Sequence, residues 1–181
     1  MRRRAAARNC LLRVFLLAGT ILAALLSCVK IPASPGGLFL AVRDAETGRL
    51  YGKWPLGEIP TGEAAEDAPR FSVEFIHSVN NSPVRETFVV GRGGGITVLE
   101  ARFYSFGAGM PSAPGEAGSV LSRDGDALVA RGFAGENAER RELNYIVGTV
   151  SDHLLYINGE TVSLRALCGR NAHIKIQVLE E

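Results

Sequence analysis

Cysteine is scarce, with three in 181 residues. Cys10 and Cys28 fall in an N-terminal apolar segment, so Cys168 stands alone in the body and no internal disulfide can form there. Stability must come from a packed core. Acidic residues are absent before position 28, whereas Arg2, Arg3, Arg4, Arg8 and Arg13 all lie there. Setting those five aside leaves 15 bases against 19 acids, a mildly acidic body without a basic stripe, which argues against nucleic-acid binding. The chain has no G-x-S-x-G nucleophile elbow. No glycine loop is followed by a lysine-serine pair at the start of a helix, so a nucleotide site is not expected. No long stretch carries helical periodicity, which excludes a helical bundle.

What the N-terminus does have is a basic stretch, MRRRAAAR, followed by the apolar run VFLLAGTILAALLSCV. That order marks a membrane-targeting segment over residues 1–30. The run is about 16 residues, shorter than the roughly 20 that span a bilayer comfortably and longer than most cleaved apolar regions. A retained anchor, a cleaved signal peptide and a lipoprotein signal are all open, the last because Leu25-Leu26-Ser27-Cys28 resembles a lipobox with Cys28 as the lipidation candidate. In each case the arginines stay cytoplasmic and the body lies on the extracytoplasmic side of the cell membrane. Residues 31–37, IPASPGG, read as a tether, and residues 38–181 as one β-domain.

From Leu38 the apolar pattern has period two. LFLAVR and RLYGKW flank DAETG as a first hairpin, and PLGEIPTGEAAEDAPR is a polar loop long enough to be a binding element. RFSVEFIHS, VRETFVV and ITVLEARFYSF follow, with GRGGG as a turn between the last two. DALVARGF is a short strand, ENAERREL has room for one helical turn, and NYIVGTV returns to β. In HLLYINGETVSL, Asn158-Gly159 supplies the positive φ angles of a two-residue hairpin turn. AHIKIQVLE closes the domain. The expected fold is all-β, a single antiparallel sandwich or barrel-like domain.

Alternation places Phe71, Val73, Phe75 and His77 on one strand face and Ser72, Glu74 and Ser78 on the other. With Asn81-Ser82 in the turn, Glu86 falls opposite His77, Phe88 opposite Phe75 and Val90 opposite Val73. A longer loop would shift this pairing without changing faces. A glutamate beside apolar side chains is costly unless a donor meets it, and the His77 proton is the nearest candidate. His153 shares the inward face of the second hairpin with Leu155 and Ile157, while His173 turns to the polar face. The bland account of both inward histidines is a core-edge imidazole bonded to a carboxylate or carbonyl. Ser78 cannot easily use its strand neighbour His77 as a base. Zinc on His77, Glu86 and His153 has suitable donors but no short-spaced ligand motif, and no metal or other cofactor is expected. In SFGAGMP, Ser105 and the amides of Gly107, Ala108 and Gly109 could form a small anion-binding nest, or only a tight turn.

HSVNNSPVRETF, the strand ending EARFYSFGAGMP, and GTVSDHLLYINGETVSL together resemble the bacterial DUF1850 family. The resemblance covers roughly residues 38–181 and is most specific over 71–111, through His77-Ser78-Val79, Pro83-Val84, Glu86, and Gly107-Ala108-Gly109 with Pro111. At Asn80-Asn81-Ser82 the chain departs from a pattern that has a charged residue and a threonine. The resemblance implies a small exported or membrane-anchored protein, often encoded beside tripartite (TRAP) transporters of the TAXI subtype, with no established catalysis. It thus implies a non-enzymatic accessory of solute uptake, contacting transporter subunits, the solute-binding protein or a small carboxylate solute. His77, Glu86, His153, Ser105 and the Gly107–Gly109 loop are its candidate contacts. The alternatives are a metal-dependent or acid-base hydrolase on His77, Glu86 and His153, and a structural β-domain in which a His77–Glu86 pair fastens the core. A mass measurement on membrane-extracted protein is expected to return the full chain, the retained-anchor outcome, whereas a truncated mass would mark cleavage and an added diacylglycerol would mark lipidation at Cys28.

Overall fold

The computed structural model describes residues 37–57, 67–105, 120–133, 139–148 and 151–181. The membrane-targeting segment, most of the tether, Cys28, residues 58–66 of the polar loop and the Gly107–Gly109 loop lie outside the described residues. Among the described residues, no helix is long and apolar enough to cross a membrane.

The expected all-β pattern is found as two antiparallel sheets. One has four strands in the order β2-β1-β12-β9: β1 is Leu38–Asp44, β2 Leu50–Gly57, β9 Glu142–Ile146 and β12 His173–Glu180. The larger runs β11-β10-β3-β4-β5-β7-β6: β3 is Arg70–Ile76, β4 Pro83–Val90, β5 Ile96–Phe103, β6 Val120–Asp124, β7 Ala127–Arg131, β10 His153–Ile157 and β11 Glu160–Ser163. A two-residue strand, β8 (Glu139–Arg140), pairs with the start of β5. Leu40, Val42, Leu143, Ile174 and Ile176 of the smaller sheet meet Phe71, Val73, Phe88 and Leu155 of the larger in one buried cluster, so the sheets are two layers on a common core.

Both hairpins with strong turn signals form as read. Asn158 and Gly159 take φ of 52° and 78°, and Ile157 pairs with Glu160 and Leu155 with Val162. In the β1–β2 turn, Asp44 Oδ1 accepts from the amides of Glu46 and Thr47, and Oδ2 accepts from the Tyr51 hydroxyl at 2.9 Å. Those donors hold its carboxyl down at about 2.

Other readings are corrected. Glu86 faces Val73, not His77, with Phe71 opposite Phe88 and Phe75 opposite Val84. The chain turns earlier than expected, because Asn81 takes a left-handed φ of 48° and the loop closes by His77 N–H to Ser82 O and Asn81 N–H to His77 O. The Phe71 and Phe88 rings stack at 5.1 Å across the ladder and favour this register. The shift is even, so every side chain keeps its face. The described end of the ENAERREL stretch is strand, since Glu139 and Arg140 find ladder partners on Thr97 and Ile96. β6 has no clear alternation in the sequence, because exposed residues dominate it. Finally, Leu164–Cys168 forms a short helix, α1, capped by Ser163 Oγ accepting from Ala166 N at 2.9 Å.

One irregularity shapes the interior. Between Thr87 and Phe88 the β4–β5 register slips by one residue, a β-bulge at Leu99. It lets Val98 turn to the same side as Ala101 and Phe103, an odd spacing that a regular strand forbids. Phe88→Ala, which removes a fully buried stacked ring, is expected to cost about 3–5 kcal/mol in urea unfolding, against less than about 0.5 kcal/mol for Leu99→Ala at the exposed bulge.

Candidate functional site

Both candidate histidines come together where β3 and β10 end beside β9. Across the β3–β10 ladder His153 is paired with Phe75, and their rings stack at 5.4 Å. His153 is only 9% exposed. Its Nδ1 accepts from the Gly148 amide at 3.2 Å, which leaves the ring proton on Nε2. Burial and the Arg165 charge push its pKa below 6.5, against the opposing pull of Asp152.

The chain holds Gly148 in place from two sides. Val147 exchanges backbone hydrogen bonds with Asn171 and Ala172, and Arg165 of α1 donates to the Gly148 carbonyl at 3.2 Å. Asp152 ties α1 to β10 by accepting from Ser163 Oγ and from the Arg165 amide. A Cβ on Gly148 would collide with the Ser151 carbonyl oxygen, so this close approach requires glycine.

His77 lies just past the end of β3, half-buried, with Nδ1 accepting from Val79 N at 3.4 Å. It shares with His153 a cleft of about 430 Å³ whose other polar side chains are Ser78, Asn81 and Ser151. The rim is apolar and open: Ile76 is 38% and Ile146 60% exposed. Two imidazoles and three hydrogen-bonding side chains inside an apolar rim suit a small polar ligand or a partner's side chain.

Glu86 does not share that cleft. It lines a second cavity, of about 450 Å³, with Tyr145 and Arg140. The Tyr145 hydroxyl donates to Glu86 Oε2 at 3.0 Å, so the donor expected from His77 comes from a phenol instead. Burial raises the Glu86 pKa, and neither Tyr145 nor Arg140 offsets it. The Tyr145 phenol is raised in turn by its own burial and by the Glu86 charge. Phe75 lines both spaces, and the Tyr145 and His153 rings meet edge to face at 5.8 Å. Phe75 and Tyr145 therefore form an aromatic wall between a histidine cleft and a carboxylate cavity.

Ser105 follows β5 at a bend and is not among the residues that line the cleft. Among the described residues, no three His, Cys, Asp or Glu side chains converge as a metal site would require. The zinc-hydrolase alternative draws no support from this geometry, because Glu86 opens on the other side of the wall. Tyr145 and Gly148 were not singled out from the sequence. Tyr145 was within reach, since it alternates with the buried Leu143 and Val147, whereas the Gly148 approach depends on a distant loop.

Because the His153 pKa is lower folded than unfolded, the unfolded chain takes up a proton that the folded chain refuses as pH drops below about 6.5. Acidification from pH 7.5 is therefore expected to lower the melting temperature of the wild type more than that of His153→Gln, while the raised Glu86 carboxyl works in the opposite direction in both. Glu86→Gln is expected to melt no lower than wild type at pH 7, because it removes a desolvated charge and keeps an acceptor for Tyr145. Gly148→Ala should lower the melting temperature through the Ser151 collision.

The family model described as Domain of unknown function (DUF1850) matches residues 71–164, from the start of the β3 core to the first residue of α1. No curated protein and no solved structure matches the chain. The matched segment spans just over half of the sequence and includes both histidines, Glu86 and Tyr145. The chain belongs to the DUF1850 family.

Proposed function

We propose that this β-domain is a non-enzymatic binding module, held at the extracytoplasmic face of the membrane by residues 1–30, that serves a TAXI-type TRAP uptake system. It engages a small carboxylate solute or a carboxylate side chain of a partner subunit in the His77–His153 cleft. The single observation that carries this reading is the pairing of two imidazoles from separate hairpins in one open cleft with an apolar rim.

The chemistry suits a carboxylate. The His153 Nε2 proton, the Ser78 and Ser151 hydroxyls and the Asn81 amide are donors that an anion can accept from. An anion also favours the protonated imidazole, so binding and proton uptake are linked. The exposed Ile76 and Ile146 add apolar contact area around a polar centre, the arrangement of a protein-binding patch. The link to uptake rests on family resemblance, and the cationic N-terminus followed by an apolar run supports the membrane tether.

The test is calorimetric titration of the purified full-length chain, in detergent, with its cognate solute-binding protein and with small dicarboxylates. Binding is expected with at least one, tightening as pH falls from 7.5 to 6 and weakening about tenfold or more in His77→Ala. Absence of binding to both, together with gene neighbours unrelated to transport, would discard the reading.

A further inference from the structure

The second cavity poses a separate question, because a buried carboxylate there is answered by one phenol and no closely placed cation. Its lining is aromatic: Phe75, Phe88, Phe103, Phe133 and Tyr145 surround Glu86. Ring faces carry negative electrostatic potential and attract cations, and attract them more strongly where water is excluded. A carboxylate ligand would meet Glu86 as a like charge. A purely apolar ligand would leave the glutamate as poorly compensated as before. A ligand with one positive end and an apolar body satisfies both parts of the lining.

The geometry points to a binding site for a small organic amine, with Glu86 receiving a protonated primary ammonium and the phenylalanine rings receiving an apolar or aryl tail. The volume, about 450 Å³, lies within the usual range for small-molecule sites. Tyr145 donates to one oxygen of Glu86, Oε2, which leaves Oε1 as the acceptor for a donor entering the cavity. Arg140 is the cation at the lining, but its residue is exposed and its pull does not overcome burial at Glu86. It competes weakly with an incoming ammonium through solvent. His153 lies behind the Tyr145 ring and stays uncharged above neutral pH. The bulge at Leu99 lines the site by turning Val98, Ala101 and Phe103 toward it together. This site is independent of the histidine cleft, since the Phe75–Tyr145 wall separates them.

The experiment is calorimetric titration of the full-length chain with 2-phenylethylamine, against 2-phenylethanol and 3-phenylpropionate. The amine is expected to bind at least about tenfold more tightly than the alcohol, and the propionate not at all. Glu86→Gln should lose about tenfold or more in amine affinity with a melting temperature no lower than wild type, and Arg140→Gln should bind the amine as tightly or more tightly. In the wild type, amine affinity should rise from pH 5 to 7.5 as Glu86 ionises, while alcohol affinity stays level; the alcohol shares any effect of His153, so the difference belongs to Glu86. Equal affinity for alcohol and amine, undiminished amine binding in Glu86→Gln, or parallel pH profiles for the two probes would each overturn the assignment, as would the absence of amine binding to folded wild-type protein.

Discussion

The stacking of Phe71 on Phe88 fixes the rest of this architecture. It sits at the centre of the larger sheet, where two fully buried rings meet across a ladder, and the register it favours decides what every later pair becomes. With those rings matched, Glu86 is brought opposite Val73 in mid-strand and not opposite a histidine at the strand end. A carboxylate in mid-strand cannot reach water along the sheet. It must find its donor from the facing layer, and β9 supplies it through Tyr145.

That contact links the two layers and divides the space between them. The smaller sheet stops at β9, while the larger continues through β5, β7 and β6, so the layers do not cover one another fully. The Glu86 cavity opens at that margin, lined by β4, β5 and β9, where no further strand of the smaller sheet follows among the described residues. Tyr145 and Phe75 stand there as a wall, with an imidazole against one side and a carboxylate on the other. Burial drives both groups toward neutrality, by opposite proton movements. The domain thus keeps two ionisable groups close together without making them an ion pair.

Much of this was legible in the residues. Asn158-Gly159 specified its hairpin because positive φ at both positions is a local requirement, met without reference to the rest of the chain. The inward faces of β3, β4 and β10 were legible because alternation survives an even shift of register. The partner of Glu86 was not, because the turn that sets the register depends on Asn81 adopting a left-handed conformation that several other residues of SVNNSP could equally have taken. Nor was α1, whose cap at Ser163 follows a run that alternates like a strand up to Leu164. The histidine cleft depends on Val147 and Gly148 being pinned by residues 165 to 172, a constraint that no local pattern carries.

The outer face of the larger sheet carries its charges in compact groups. Arg85 pairs with Glu74 at 2.7 Å and lies over the Tyr156 ring, and Glu100 takes both Arg102 and Arg131. Had the β5 ladder run on regularly through Leu99, the alternation would have turned Glu100 and Arg102 toward Phe88, and Ala101 and Phe103 toward water. One surplus residue therefore acts as a parity switch in the strand. It sorts the ions of β5 to the solvent side and its hydrocarbon to the other, and any insertion or deletion that restored even spacing at a different point would reverse that sorting for part of the strand.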